Sequence, residues 1–313
     1  MSRGGSSSGR RSHLSDLAVL TRSRTLRRAL ASLVAVSALL PAFGWDWPLA
    51  PPRVAATFGT FAKGRVITGL ALASDESPVR AADDGELSFS AEEGNSPSGL
   101  PMALGTFIVL EHPKSMAAAY SHLAPGSAST SLRKVKSGEI IGKSGGSGWI
   151  EGNGILFQVL DRRAGTWVNP LLVLPPLEDD KPPVIRSLAL SRADKVFVVG
   201  SSPSIPQGTY VISADVTEPV DSAWPSVPLA PFGIRLSIDG VEAARDSFDV
   251  ARCSGGKIIF FGRPGVDADE LRTKEGRYAL AERLFTRGRT AIEVGVEDER
   301  GNKRASTWTF VVE

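Results

Sequence analysis

The sequence predicts an all-β protein with two β-rich halves, and three observations carry this prediction. Short apolar or alternating runs recur along the 313 residues, each bounded by clusters of Gly, Ser, Pro or Asn, which is the pattern of strands and turns. No segment of the first half has a long apolar period of 3.6 residues, so no long amphipathic helix is predicted there. A proline-rich break at Leu174–Val184 separates two parts of about 130 residues each, a typical domain size.

Both halves supply a set of predicted strands. Those of the first half are Arg65–Leu72, Gly85–Phe89, Thr106–Leu110 and Ile155–Leu160. Those of the second half are Lys195–Val199, Gly208–Val216, Ile234–Ile238, Lys257–Phe261, Ala291–Val296 and Ser306–Val312. Turn sequences such as Asp239-Gly240 separate the latter strands as hairpin loops do. Their near-regular spacing predicts a β-sandwich, and the second half resembles the Ig-like or fibronectin-like sandwiches of bacterial envelope proteins.

Residues 1–44 have the composition of an export signal. An Arg-rich segment is followed by an apolar run of 12 residues, Ala29–Leu40, and by the small-residue pattern Ala42-Phe43-Gly44. The apolar run is shorter than the roughly 20 residues that cross a bilayer, so it predicts a secretory signal peptide, with an uncleaved signal anchor as the alternative. The protein is therefore expected in the periplasm or on the surface of a bacterium, and at the membrane only if the signal stays uncleaved.

The net charge of +2 arises from this N-terminal segment. The segment contains seven Arg and one Asp, so 29 basic and 33 acidic side chains remain after it, a net charge of −4. Because nucleic-acid-binding proteins present a basic surface, nucleic acid is not an expected partner. The single cysteine, Cys253, excludes an intramolecular disulfide and a cysteine-based metal cage.

The proline-rich break sets the predicted domain boundaries. It contains four prolines and three acidic residues in eleven positions, which is typical of an extended, exposed linker. The predicted organisation is a signal at residues 1–44, a first domain at 48–177, a linker at 178–183 and a β-sandwich at 184–313.

The first domain contains a series of ordered motifs. In chain order they are Phe61–Leu72, Pro78–Leu87, Gly105–His112, Tyr120–Leu123, Val135–Gly148, Gly152–Val159 and Val168–Pro170. These blocks resemble, in the same order, those of the LytM/lysostaphin-like M23 family of zinc peptidases, which cut peptidoglycan cross-links. The resemblance covers most of the domain and implies an M23-like β-sheet core.

The catalytic positions of that family are changed in this chain. The resemblance places the three zinc ligands of active members at Ile67, Ala71 and Leu156, and a catalytic histidine at Gly154. The resemblance places the family's other catalytic histidine at His122, and this is the one catalytic position that is unchanged. Zinc requires N, S or O ligands, which Ile, Ala and Leu side chains do not offer. The sequence thus predicts a pseudo-enzyme without a metal or other cofactor, whose former site is packed shut.

A rebuilt metal site is the alternative, which would make the protein an active zinc metalloendopeptidase. The nearby residues that could supply ligands are Asp75, Asp83, Asp84, Glu111, His112 and Glu151. Carboxylates also occur in the second half, at Asp215, Glu218, Asp221, Asp239 and Asp298. Because they lack a D-x-D-x-D-G loop, they are interpreted as turn residues rather than as a calcium site.

Three residues are candidates for a ligand-binding groove beside the former metal site. Strand alternation places Tyr120 and His122 on one face, and Trp149 lies in a glycine-rich loop that borders the cleft. Tyr and Trp provide rigid contact area with a polar end. A structural histidine and a core tryptophan are the alternatives.

The resemblance and the missing ligands together favour a non-catalytic protein of the cell envelope. Its expected partner is peptidoglycan, or an envelope protein such as a cell-wall hydrolase that it regulates. An active zinc peptidase with a rebuilt site is the second hypothesis. An adhesion or scaffold protein, in which both β domains are spacers, is the third.

Overall fold

The protein is described from a computed structural model that covers residues 44–62, 64–94, 102–129, 131, 133–150, 152–201, 204–219, 223 and 227–313. The predicted signal lies outside these residues except for Gly44. The all-β prediction is confirmed, because regular structure in this part of the chain consists of 23 strands and three short 3-10 helices, Pro113–Ser115, Pro170–Leu172 and Ala268–Leu271. Among the described residues, no helix has the length and apolar character to cross a membrane.

The strands of the first half are short. They are β1 Val54–Ala56, β2 Phe61–Ala62, β3 Arg65–Val66, β4 Leu70–Ala73, β5 Pro78–Arg80, β6 Gly85–Ala91, β7 Thr106–His112, β8 Met116–Leu123, β9 Lys134–Val135, β10 Ile140–Lys143, β11 Gly154–Asp161 and β12 Thr166–Val168. Those of the second half are β13 Val184–Arg192, β14 Lys195–Val198, β15 Ser204–Ile205, β16 Gly208–Thr217, β17 Gly233–Ile238, β18 Val241–Ser247, β19 Val250–Ser254, β20 Lys257–Phe260, β21 Tyr278–Phe285, β22 Gly288–Glu297 and β23 Lys303–Val312.

The main sheet of the first half is built around β11. Its strand order is β20-β19-β12-β11-β8-β7-β6-β9, and β4 pairs with the first part of β11 and carries β1 on its other side. Strand β7 alternates buried and half-buried residues, as expected for a strand with one face on a core. That core includes Leu72, Ile108 and Phe157.

Two further sheets form the second half. One has the order β14-β13-β16-β21 and the other β15-β23-β22-β17-β18. Both contribute to one hydrophobic core, with Leu188 and Ile212 from the first sheet and Leu236 and Val294 from the second. The second half therefore contains further β-sheets, but the predicted strand Lys257–Phe261 corresponds to β20, which belongs to the main sheet of the first half.

The two halves share structure. Strand β19 of the second half pairs with β12 of the first, Thr166 standing opposite Arg252, and the side-chain amide of Asn169 donates to the carbonyl oxygen of Phe248 at 2.9 Å. Residues Gly44–Glu313 form one compact unit. The segment between residues 175 and 183 contains no helix or strand, and it joins parts that also meet through a common sheet.

Candidate binding groove

An open groove of about 580 Å³ lies on one face of the main sheet. Its walls come from β3, from the segment that leads into β4, from β11, and from the loops at residues 103–104 and 149–150. Ile67, Ala71, His122, Trp149 and Leu156 all line it. The structure therefore brings together the three residues that the resemblance places at zinc-ligand positions with His122 and Trp149, but the expectation of a site packed shut is wrong.

A row of small and apolar side chains crosses the floor of the groove. Leu156 of β11 stands opposite Ala71 of β4 on one side and Ser121 of β8 on the other. Directly opposed residues in antiparallel strands project from the same face, so the three share the groove face. The hydroxyl of Ser121 is buried and has no hydrogen-bond partner among the described residues.

Tyr120 is not in the groove, which corrects the prediction from strand alternation. It is fully buried, its ring lies 5.2 Å from that of Phe157 in the core, and its phenol oxygen accepts a hydrogen bond from the backbone N–H of Ala82 at 2.8 Å. The cause is an irregularity in β8. Two of its residues, Ser121 and His122, fit between partners of β7 that are separated by only one residue, which is a β-bulge.

His122 takes up this extra position in the strand. Its backbone has a φ of 66°, a left-handed conformation that is uncommon for a residue other than glycine. Consecutive residues of a regular strand point to opposite faces, but the bulge breaks this alternation. Ser121 and His122 therefore both lie on the groove face, and His122 lines the groove. Tyr120 and His122 thus lie on opposite sides of the sheet.

The ring of His122 is held by the glycine-rich loop. Its Nδ1 lies 2.8 Å from the carbonyl oxygen of Ser147, and the hydroxyl of Ser147 donates to the carbonyl of Leu123 at 2.6 Å and accepts from the N–H of Thr106 at 2.9 Å. Burial lowers the pKa of His122, against smaller opposing effects from the Ser147 hydrogen bond and the charge of Glu93. The neutral ring therefore predominates at neutral pH.

Trp149 stands at the rim of the groove with 59% of its surface exposed. The guanidinium of Arg65 lies 4.6 Å from its ring centroid, a cation–π contact. The loop backbone is fixed by a hydrogen bond from the N–H of Trp149 to the carbonyl of Ala103 at 2.9 Å. A side chain at Gly148 would lie 2.4 Å from the backbone N of Gly105, so the close approach of these loops requires glycine.

Gly154 begins β11 where it meets β4. A Cβ atom added at this position would lie 2.1 Å from the carbonyl oxygen of Leu72, far inside van der Waals contact. The backbone N–H of Gly154 also donates to the carbonyl of Gly145 at 2.8 Å. The position that the resemblance assigns to a catalytic histidine therefore has no room for a side chain.

The groove lining does not fit a catalytic zinc ion. Such a site needs three protein ligands and an open position for water, and His122 is the one His, Cys, Asp or Glu among the described residues that line the groove. Among the other polar side chains there, Gln158 donates a hydrogen bond to Thr68 at 2.9 Å, and Arg65 is a cation that cannot ligate zinc.

The nearby residues considered for a rebuilt site lie elsewhere. The Nδ1 of His112 contacts the carbonyl of Asp84 at 2.9 Å, and its ring packs 4.7 Å from Trp45. Asp84 binds Lys136, and Glu111 binds Arg162. None of these residues, nor Asp75 or Asp83, lines the groove, and Glu151 lies outside the described residues.

Comparison with known proteins matches residues 65–170 to the family model of Peptidase family M23. A second family model matches residues 182–313. The M23 match spans most of the motif blocks on which the resemblance rests. No curated protein sequence matches the chain significantly.

Several solved structures are also similar. The catalytic domain of a mutant of the prophage-encoded M23 protein EnpA from Enterococcus faecalis is 23% identical, with a TM-score of 0.34 over 41% of this chain and 95% of that one. The antimicrobial peptidase lysostaphin from Staphylococcus simulans is 16% identical, with a TM-score of 0.33 over 75% and 89%. The SpoIIQ–SpoIIIAH pore forming complex contains a chain that is 22% identical, with a TM-score of 0.35 over 42% and 90%.

Proposed function

We propose that the M23-like domain is a non-catalytic peptidoglycan-binding domain of an exported cell-envelope protein. The observation that carries the proposal is a groove that stays open while apolar side chains occupy its ligand positions. A folded domain that had lost every use of its cleft would gain stability by filling it, since that would remove the apolar lining from water. The retained groove instead supports a role in binding.

The chemistry of the lining argues against hydrolysis. Peptide-bond cleavage by an M23-type site depends on a metal that activates water and polarises the carbonyl. Ile67, Ala71 and Leu156 cannot hold that metal. His122, with its Nδ1 bound to Ser147, retains in its neutral form an Nε2 lone pair that can accept a hydrogen bond. It serves in this proposal as a contact for the ligand.

The same lining suits a fragment of peptidoglycan. The exposed indole of Trp149 offers a flat face of the kind that stacks on sugar rings, and Arg65 beside it supplies a positive charge for peptide carboxylates. Ile67 and Leu156 provide an apolar floor for peptide side chains. The second half, proposed as an Ig-like sandwich, would space this groove from other envelope components.

Binding to purified sacculi tests the proposal with a matched pair of variants. Trp149→Ala removes the rim indole, and we expect at least about thirtyfold weaker binding, since truncating an aromatic anchor costs about 2 kcal/mol. Phe261→Ala is the control, because Phe261 is also an exposed aromatic beside an arginine, at 5.7 Å from Arg252, but lies outside the groove. Circular dichroism should show both variants folded.

Two results would contradict this function. Equal sacculus binding by wild type and Trp149→Ala would show that the groove does not bind peptidoglycan. Absence of sacculus binding, with the purified protein binding a cell-wall hydrolase and changing its activity, would favour the regulatory function instead.

A further inference from the structure

Three carboxylates converge away from the groove, where the segment joining the two halves meets the second half. One oxygen each of Asp179, Glu218 and Asp298 lies within 4.8 Å of the other two. They come from the linker segment, from the end of β16 and from the turn after β22. Among the described residues, this is the one place where three His, Cys, Asp or Glu side chains approach so closely.

Glu218, one of the two buried members of this cluster, lacks partners for its carboxylate. Glu218 is 5% exposed, and neither of its carboxylate oxygens has a hydrogen-bond partner among the described residues; the same holds for one oxygen of Asp179. A buried carboxylate without a partner is costly, and such groups are normally paired or bound to a metal. Burial, with the charges of Asp298, Asp179 and Glu299 adding to it, raises the pKa of Glu218 to about 9.

The third member is held in place by its own turn. Asp298 accepts hydrogen bonds from the backbone N–H groups of Arg300 and Asn302 at 2.9 and 2.8 Å. The side-chain amide of Asn302 donates to Asp298 at 2.8 Å and to the carbonyl of Asp179 at 3.2 Å. The turn thus positions the carboxylate of Asp298 and holds the backbone of Asp179 beside it before any ligand binds.

No described basic side chain neutralises the cluster. Arg53 and Lys181 line the adjoining cleft, together with Asp179, Glu218 and Glu299. No ion pair between these basic groups and the three carboxylates occurs among the described residues, whose salt bridges lie elsewhere. The cleft of about 450 Å³ gives the cluster a path to solvent.

We propose that Asp179, Glu218 and Asp298 bind one calcium ion that clamps the linker to the second half. All three side chains offer oxygen ligands, which hard cations such as Ca²⁺ prefer, whereas zinc sites usually include nitrogen or sulfur ligands. Two oxygens bound to one Ca²⁺ at about 2.4 Å can lie up to about 4.8 Å apart, so the spacing of the three carboxylate oxygens admits this ion. Calcium also tolerates irregular geometry and completes its shell with water and carbonyl oxygens.

The location gives the ion a structural role. Glu218 directly follows β16, and its backbone N–H donates to the carbonyl of Leu229 at 3.1 Å. The same cleft is walled by Val54, Thr57 and Leu171 of the first half. An ion at this point would therefore hold together three segments that are distant in the sequence. This role differs from the turn function that the sequence predicts for Glu218 and Asp298, and Asp221 of that set lies outside the described residues.

Calorimetric titration of the chelator-treated, full-length protein with CaCl₂ tests the assignment. We expect one Ca²⁺ per chain, weaker binding of Mg²⁺, and a melting temperature that rises by about 5 °C when calcium exceeds its Kd about a hundredfold. Glu218→Gln keeps the shape of the side chain but cannot form the carboxylate that binds the ion, and should weaken calcium binding at least tenfold. Glu282→Gln, an exposed glutamate of β21, is the matched control and should bind as wild type.

Asp179→Asn provides a second test in the linker segment, in case Glu218→Gln does not fold. It should weaken calcium binding in the same way, since one of its oxygens belongs to the cluster. The proposal is overturned if wild type takes up no calcium at millimolar concentrations, or if Glu218→Gln and Asp179→Asn bind as tightly as Glu282→Gln. Tighter binding of Mg²⁺ than of Ca²⁺ would overturn the choice of ion. A further contrary outcome is that calcium has no effect on wild type while Glu218→Gln raises the melting temperature. That result would show that Glu218 is a buried, protonated acid and not a calcium ligand.

Discussion

The Nδ1 of His122 lies 2.8 Å from the carbonyl oxygen of Ser147. A carbonyl only accepts, so Nδ1 carries the proton and Nε2 is the acceptor of the neutral ring. The bond ties the bulged end of β8 to the glycine-rich loop that carries Trp149. Two sides of the groove are therefore joined by one histidine, and protonation of that ring should affect the stability of both.

The pH dependence of stability should reveal the buried histidines. Burial lowers the pKa of His122 and of His112, so each contributes stability that is present above the unfolded value of about 6.5 and is lost as the pH falls through the lower folded value. We expect the melting temperature to fall more steeply with acid in wild type than in His122→Gln or His112→Gln.

The comparison between wild type and variant isolates the histidines. Glu218, Asp246 and Glu299 have raised pKa values and would oppose the trend in the same pH range in all three proteins. Melting curves from about pH 7.5 to about pH 5 give the slopes. Identical slopes in wild type and both variants would show that neither ring is held neutral by the fold.

The purified protein should contain no stoichiometric zinc and release no soluble fragments from peptidoglycan. Among the described residues that line the groove, His122 is the one His, Cys, Asp or Glu, because Ile67, Ala71 and Leu156 occupy the ligand positions. A single protein ligand does not retain zinc. Elemental analysis after dialysis and a dye-release assay on labelled sacculi measure the two quantities. Zinc near one per chain, with hydrolysis abolished by a chelator, would contradict the pseudo-enzyme.

The strands could be predicted because their signals are local. Gly85–Phe89 and Thr106–Leu110 fall inside β6 and β7, since alternation and bounding turn residues act within a few positions. The run Arg65–Leu72 divides into β3 and β4, because Gly69 packs against the backbone of β11, where a Cβ atom would lie 2.5 Å from the carbonyl of Phe157.

The faces of the site residues could not be predicted in the same way. One extra residue in β8 reverses the alternation, so Tyr120 enters the core while His122 reaches the groove. Nothing in the sequence Tyr120–Leu123 marks that bulge. The cluster of Asp179, Glu218 and Asp298 was missed for a related reason, because only the tertiary fold brings its three segments together.

Among substitutions that restore the histidines of the family motif, the one at Gly154 should destabilise the protein most. Gly154→His places a Cβ atom 2.1 Å from the carbonyl of Leu72, so β4 and β11 must separate, and we expect a loss of at least about 3 kcal/mol of unfolding free energy. Leu156→His is half-buried in an open groove and should cost about 1 kcal/mol.

Chemical denaturation with chelator present compares the two variants without any help from metal. Equal stabilities of Gly154→His and Leu156→His would mean that the strand pairing at Gly154 can open at little cost. Because the groove is open, Ile67→His should resemble Leu156→His rather than Gly154→His.

Tyr120→Phe should separate stability from binding. The phenol oxygen accepts a hydrogen bond from the N–H of Ala82, which is 1% exposed, and removing the acceptor leaves a buried donor unpaired at a cost of about 1–3 kcal/mol. Tyr210→Phe is the matched control: its hydroxyl donates at 2.8 Å to the carbonyl of Pro206, an exposed residue whose oxygen can bind water instead, so its loss should be smaller. Sacculus binding by Tyr120→Phe should equal that of wild type at a temperature where both are folded. Weaker binding at an unchanged melting temperature would contradict this and would show that Tyr120 contacts the ligand.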